Sequence, residues 1–199
     1  MRRSFTLAAA LLLAACTGLQ PPQDIQNIYV LDARPAAVSR PMRDVVLAIS
    51  APRGRAGFDT AQMAYERRPH ELEYFAKNRW ADAPPRMLAP LLAQAIEQSG
   101  GLRGVVQASN PATTADLRLD VEVVRLLQDF ATRPSRVRLT VHAQLIDTGS
   151  RRVLATREFD EIENSPSDDA YGGVIAANRA LERLLGRIVD FCTAQPVNR

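Results

Sequence analysis

The stretch LRLDVEVVRLLQDFATRPSRVRLTVHAQLID, residues 117–147, alternates apolar and polar side chains in two runs. Apolar residues take every second position from Leu117 to Val123 and again from Val137 to Leu145. A period of two is typical of strands that bury one face. Residues 147–150, DTGS, have the composition of a tight hairpin turn and lead into a third segment, residues 151–159. These residues predict an antiparallel meander of three long strands.

Shorter strands are predicted before this meander. Residues 44–50, DVVLAIS, are apolar and β-branched almost throughout, which predicts a central strand buried on both faces. Further short strands are predicted at residues 27–32, 62–67, 71–75 and 105–108. Residues 68–70 should join the second and third of these as a turn.

Two helices are predicted from apolar residues that recur at helical spacing. Pro84 and Pro85 suit the first turn of the first helix, whereas Pro90 lies inside its pattern and argues for a start nearer Arg86, at residues 86–98, or for a kink. Ser99-Gly100-Gly101 should end it. The second helix follows Asp168-Asp169, and its predicted buried face consists of Val174, Ala177, Leu181, Leu184, Leu185 and Ile188.

The order of these elements predicts an α/β fold class. We expect a single-domain sandwich, with a mixed, largely antiparallel sheet and two main helices. Residues 44–50, the first helix and residues 105–108 have the order of a parallel βαβ unit.

Composition and charge exclude several classes of protein. The chain has 199 residues, of which 46% are hydrophobic and 24% charged, as in globular domains rather than disordered or multi-span membrane proteins. Its net charge is +3, and Arg2 and Arg3 supply two of those charges. Once both are removed with residues 1–15, basic and acidic residues nearly balance, so we expect no nucleic-acid partner.

The N-terminus has the features of an export signal. Two arginines precede the apolar run of residues 5–13, which is too short to span a bilayer. Leu13-Ala14-Ala15-Cys16 matches the bacterial lipobox, in which a diacylglycerol alkylates the cysteine sulfur and the signal peptide is cut just before that cysteine. We therefore predict a signal peptide at residues 1–15, lipidation of Cys16, a tether over residues 16–26 and a folded domain over residues 27–199. The general secretory route is favoured, and twin-arginine export stays open.

Thr17 indicates the membrane to which the lipoprotein is delivered. An aspartate directly after the lipidated cysteine retains lipoproteins in the inner membrane of enteric bacteria. Thr17 therefore indicates the periplasmic face of the outer membrane of a Gram-negative bacterium. Cys192 is the other cysteine of the chain, and it is interpreted as a small buried apolar residue. An intermolecular disulfide is the open alternative.

Few residues suggest catalysis. His70 and His142 are the two histidines, and neither lies in a nucleophile motif or at metal-ligand spacing. The glycine pairs fit neither a phosphate loop nor a dinucleotide fingerprint. We expect no enzyme activity, no metal and no cofactor.

Residues 64–80, AYERRPHELEYFAKNRW, hold four of the eleven aromatic residues, interleaved with charges. Either these rings cover one end of the sheet, or they form a docking surface, since Tyr, Trp and Arg are enriched in interface hot spots. Trp80 is assigned to the core, and the turn containing His70 is expected to be exposed. The candidate interaction residues are Tyr65, Arg67, Arg68, Tyr74, Arg79 and Trp80.

The same region resembles a known family. Residues 58–65, FDTAQMAY, resemble the (Leu/Phe)-Asp-Thr-x-(Arg/Gln)-(Ile/Met)-Ala-Tyr signature of the ABC-type transport auxiliary lipoproteins, the PqiC/YmbA-like family. Residues 72–84, LEYFAKNRWADAP, resemble its Leu-x-Tyr-Tyr-Ala-x-x-Arg-Trp-Ala-Asp-x-Pro stretch. Phe75 replaces the second tyrosine, and Leu102 replaces a later aromatic residue. The resemblance runs from about Tyr29 to Phe191 and includes Ala115-Asp116-Leu117, Gln128-Asp129-Phe130 and residues 176–181.

The resemblance implies a lipoprotein of the outer membrane that does no covalent chemistry. The implied partners are an MCE-domain protein and an ABC permease with its ATPase, which move lipids across the envelope. The resemblance also implies a fold like the TolB N-terminal domain and assembly into homo-oligomeric rings. A structural or assembly lipoprotein of the outer membrane and a lipid-binding module with its own cavity are the alternatives.

Overall fold

The computed structural model describes residues 25–34, 39–109 and 114–194. The predicted signal peptide, Cys16 and the first part of the tether lie outside these residues. The described residues form nine strands and two helices, in the order β1 Asn27–Tyr29, β2 Arg43–Ile49, β3 Arg53–Gly54, β4 Gln62–Glu66, β5 Glu73–Trp80, α1 Pro84–Gln98, β6 Leu102–Gln107, β7 Leu117–Asp129, β8 Arg136–Asp147, β9 Val153–Asn164 and α2 Ala170–Ala194.

The predicted meander is confirmed. Strands β7 and β8 pair antiparallel from Leu117↔Asp147 to Asp129↔Arg136, and β8 pairs with β9 in the same way. Strand β9 continues five residues past the predicted end at Phe159, because basic residues on neighbouring elements pair with its carboxylates. Arg138 of β8 binds Asp160, and Arg183 of α2 binds Glu161. Charges that are typical of a loop are thereby accommodated within a strand.

The other edge of β7 pairs with three successive strands, all parallel to it. Strand β2 pairs with its start, β3 with its middle and β4 with its end. Strand β2 is also parallel to β6, so the predicted central strand and the parallel pairing of the βαβ unit are confirmed. Beyond β4 lie β5, antiparallel, and β1, which is parallel to β5 and forms an edge of the sheet.

Four further predicted boundaries are wrong, and the first is the end of β1, which stops at Tyr29 rather than at residue 32. Strand β5 extends to Trp80, because its last three residues gain β1 as a second neighbour. Helix α1 begins at Pro84 with both prolines in its first turn, as their residue type predicts, so the alternative start near Arg86 is wrong. Pro90 lies within α1 on an exposed position. Strand β6 begins at Leu102, two residues after Gly100, which ends α1 at a φ of 64°.

Both helices pack on the sheet and contact each other, which gives the predicted two-layer α/β sandwich. Asp169 caps α2 by accepting a 2.7 Å hydrogen bond from the Gly172 amide. The predicted apolar face of α2 is buried throughout. Cys192 is also fully buried, which raises the pKa of its thiol to about 12 and supports its interpretation as a small core residue. No helix within the described residues has the length and apolar character needed to cross a bilayer.

Candidate interaction surface at the β4–β5 hairpin

Three aromatic rings meet where β4, β5 and the end of β7 come together. The ring centroids of Tyr65 and Phe75 are 4.6 Å apart, and Phe130 lies 5.8 Å from Tyr65 in an edge-on arrangement. They line a groove of about 520 Å³ whose rim includes Arg67 and Arg133. We call this surface the aromatic groove, formed by Tyr65, Arg67, Tyr74, Phe75, Ala76, Phe130, Thr132, Arg133 and Asp168.

Strand pairing explains why rings so distant in sequence meet. Tyr65 lies opposite Glu73 in the antiparallel β4–β5 pair and opposite Gln128 in the parallel β4–β7 pair. Phe75 follows Glu73 by two positions, so it lies on the same face of β5. The amide of Phe130 donates a 2.8 Å hydrogen bond to the carbonyl of Glu66, which continues the ladder past the end of β7.

A polar network holds the Tyr65 ring in place. Its hydroxyl donates to Glu73 Oε2 at 2.8 Å and accepts from Arg67 Nη2 at 3.1 Å. The Arg67 guanidinium lies 5.3 Å from the ring centroid and 3.5 Å from Glu73 Oε1. The hydrogen bond to Glu73, followed by burial, raises the pKa of Tyr65 above its usual value. The phenol therefore stays neutral at physiological pH.

Opposite charges balance on the rim of the groove. Asp168 Oδ1 accepts a 2.6 Å hydrogen bond from the Ser135 amide. This bond lowers the pKa of the Asp168 carboxyl, and the Ser135 hydroxyl and nearby Arg133 lower it further. Arg67 is balanced by Glu73, 3.5 Å away beside the groove, and Arg133 is close enough to Asp168 to help lower its pKa. An aromatic floor with a charge-balanced rim is typical of a protein interface and less suited to an anionic ligand.

The structure places the other candidate interaction residues in different environments. Tyr74 lies at the groove and donates a 3.1 Å hydrogen bond to the carbonyl of Gly57. Arg68 is exposed and pairs with Glu71 at 2.7 Å in the turn, and Arg79 is exposed further along β5. Trp80 is 3% exposed and lies in the core, where the sequence assigned it. Tyr65, Arg67 and Tyr74 are thus brought together, whereas Arg68, Arg79 and Trp80 lie outside the groove.

Six of the nine groove residues are absent from the sequence-predicted set. Of these, Phe130 and Arg133 follow β7, more than sixty positions after Tyr65, and reach it through the parallel β4–β7 pairing. One signal in the sequence pointed to this region, because Gln128-Asp129-Phe130 is one of the segments that resemble the family. The spacing of residues along the sequence does not predict a contact between residues so far apart in the chain.

The histidines lie apart from the groove. His142 is half-buried on β8, opposite Glu122 of β7 and Glu158 of β9, and His70 lies in the exposed turn with a φ of 71°. Within residues 25–34, 39–109 and 114–194, no three His, Cys, Asp or Glu side chains are grouped as metal ligands. The groove can therefore contact another molecule through its aromatic rings and its balanced charges.

Comparison with known proteins connects this fold to a family. The model of a family described as "ABC-type transport auxiliary lipoprotein component" matches residues 29–189. Among solved structures, protein XCC0632 from Xanthomonas campestris is similar at 23% identity and a TM-score of 0.75, over 84% of this chain and 95% of that one.

Two further solved structures share the fold. An uncharacterized protein is similar at 15% identity and a TM-score of 0.67, over 84% of this chain and 99% of that one. Hypothetical protein CT253 from Chlamydia trachomatis is similar at 11% identity and a TM-score of 0.51, over 76% and 99% of the two chains. No curated protein sequence matches the chain significantly. The likeness to these structures, at such low identity, establishes the fold alone.

Proposed function

The chain belongs to the family of ABC-type transport auxiliary lipoprotein components, and from that membership we propose that it serves a lipid transport system at the outer membrane. In this proposal Cys16 carries the lipid anchor, and the domain receives the end of an MCE-domain protein whose lipid cargo is moved by an ABC permease and its ATPase. The domain contributes no covalent chemistry. The observation that carries the proposal is the family match over residues 29–189, beside a lipobox at residues 13–16.

The aromatic groove is the proposed docking surface for the MCE-domain protein. Tyr65, Phe75 and Phe130 are half-buried rather than covered by the domain, so a partner can complete their burial. Such rings contribute most of the binding free energy in many interfaces. Arg67 and Arg133 supply cations on the rim that fix the orientation of the partner.

The buried cavity beneath α2 gives no support to the alternative of a lipid-binding module. Beneath α2, Met63, Trp80 and Gln128 are among the residues that line a cavity of about 10 Å³. That volume holds about one water molecule and is too small for an acyl chain. The buried Gln128 Oε1 has no hydrogen-bond partner within the described residues, so a water is the expected occupant.

Co-purification tests the proposal. The full-length protein, tagged at its C-terminus and extracted from membranes in mild detergent, should bring down an MCE-domain protein together with a permease and an ATPase. Arg133→Ala should reduce this recovery, whereas Arg152→Ala, a change of the same kind in the β8–β9 turn, should not. Recovery of outer-membrane assembly proteins in place of transporter subunits would contradict the proposed function.

A further inference from the structure

A strip of exposed apolar side chains lies at the edge of the sheet where the described chain begins. Ile25 is 85% exposed, Ile28 64%, Val30 50% and Tyr171 59%. These are four of the eight large apolar side chains that are exposed within the described residues. Ile28, Val30 and Tyr171 line one groove of about 470 Å³ between β1 and the first turns of α2. We call Ile25, Ile28, Val30 and Tyr171 the apolar edge.

The backbone beside the apolar edge offers little to a further strand. The carbonyl of Tyr29 accepts from the Ala81 amide, so it faces β5. The carbonyl of Val30 accepts from the Asn178 side chain of α2 at 3.3 Å, and the Asp32 amide donates back to Asn178 Oδ1 at 2.9 Å. Since Asn178 occupies these groups, β1 ends after three residues. Beyond the short edge of β1, the surface available to a partner consists of side chains, which favours an apolar partner over an added strand.

The position of the apolar edge in the chain identifies that partner. Residues 17–24 separate Cys16 from Ile25 and span at most about 30 Å when extended. A domain held on so short a linker experiences the bilayer at a high effective concentration, so a weak apolar contact becomes populated. Isoleucine and valine beside a tyrosine are residues that enter the interface between headgroups and acyl chains.

We propose that the apolar edge docks on the lipid bilayer and forms a second attachment beside the lipid anchor. The inference rests on the proposed anchoring through Cys16. Docking also orients the domain, because Tyr171 follows Asp168, on the rim of the aromatic groove, by only three residues. The groove is then held near the membrane surface, where the end of a transporter arrives.

Thiol labelling tests the proposal in the full-length, lipidated protein. Val30→Cys and Val153→Cys place a maleimide dye at two exposed valines, 50% and 55% accessible, the second at the start of β9. Cys192 stays unlabelled because it is buried with its thiol pKa raised to about 12, and lipidation blocks Cys16. In vesicles of phosphatidylethanolamine and phosphatidylglycerol, the dye at position 30 should shift to shorter wavelength and be quenched by nitroxide-labelled lipid. The dye at position 153 should do neither, and Ile28→Asp in the Val30→Cys chain should abolish both signals.

Each other outcome overturns the proposal in a recognisable way. If the chain floats with the vesicles but the dye at position 30 shows no shift and no quenching, like the dye at position 153, the proposed docking is wrong and the proposed lipid anchor is retained. If that dye shifts without quenching by the nitroxide lipid, protein covers the apolar edge, as a second copy would. If the chain does not float, docking and anchoring fail together.

Discussion

The hydroxyl of Tyr65 donates a 2.8 Å hydrogen bond to Glu73, the residue directly opposite it across the β4–β5 pair. This bond holds one ring of the aromatic groove against its own hairpin, while the ring face stays against Phe75 and Phe130. The groove is therefore built before any partner arrives, which lowers the ordering cost of binding.

Replacing the Tyr65 hydroxyl should destabilise the domain in a pH-dependent way. Because its pKa is raised above 10.0, the stabilising hydrogen bond is fully present below about pH 10 and is lost as pH rises through the folded pKa. Tyr65→Phe should lower the free energy of unfolding by about 1.5 kcal/mol at neutral pH, and by less in alkali. Denaturant titrations at pH 8 and above pH 10 measure this difference. Tyr171→Phe, at an exposed tyrosine, is the control, and an equal effect there would contradict the role of the bond.

A comparison of Trp80→Ala with Tyr65→Ala should distinguish a residue of the core from a residue of the interface. Trp80 is nearly inaccessible, so its truncation should lower the free energy of unfolding by about 3–5 kcal/mol. Tyr65 is half-buried at the groove, so Tyr65→Ala should destabilise the free domain less and weaken partner binding more. Thermal melting and partner titration of both variants are the measurements. The reverse pattern would place the interface at Trp80.

The ion pair between Arg138 and Asp160 predicts a loss of stability in acid. Arg138 Nη2 lies 2.9 Å from Asp160 Oδ2, and Thr140 donates to the same carboxylate at 2.6 Å. Arg138 first, and Thr140 with it, lowers the pKa of Asp160 below 3.8, so this stabilisation is present above about pH 4 and is lost as pH falls through the folded pKa.

Asp160→Asn should therefore lower the free energy of unfolding by about 1 kcal/mol at pH 7, a value that allows for partial exposure of the pair, and by less near pH 3. Chemical denaturation at the two pH values checks this. Glu97→Gln, at an exposed position on α1, should change neither value. A loss for Asp160→Asn that is equally large near pH 3 would exclude the ion pair as its source.

Cys16→Ser should release the protein from the membrane or leave it with its signal peptide uncleaved, because the predicted lipidation needs the thiol. Cys192→Ala is the matched control, since Cys192 lies in the core and should not affect membrane association. Fractionation followed by mass measurement of the N-terminus distinguishes the two variants. Mature Cys16→Ser protein in the outer-membrane fraction would refute the lipobox interpretation.

Much of the fold was predictable, because the period at which apolar residues recur in the sequence indicates which face of a strand or helix is buried. The alternation from Leu117 to Leu145 identified β7 and β8, and the spacing from Val174 to Ile188 identified the buried face of α2. The extension of β9 was not predictable, because Asp160 and Glu161 owe their place in a strand to arginines on other elements. Six of the nine groove residues were not predicted, and four of these lie far along the chain from Tyr65. Tyr65 and Arg67 were within one aromatic-rich segment, whereas Phe130 joins them through strand pairing that only the folded chain reveals.

The central claim is that the aromatic groove receives the MCE-domain protein of a lipid transporter. Its most direct test is the dissociation constant of the MCE-domain protein from the same organism for the wild-type protein and for Phe130→Ala, measured by titration in detergent. We predict saturable binding, and weakening by about thirtyfold or more in the variant while its melting temperature changes little. Absence of binding to the wild type, or equal affinity for the two proteins, would contradict the claim.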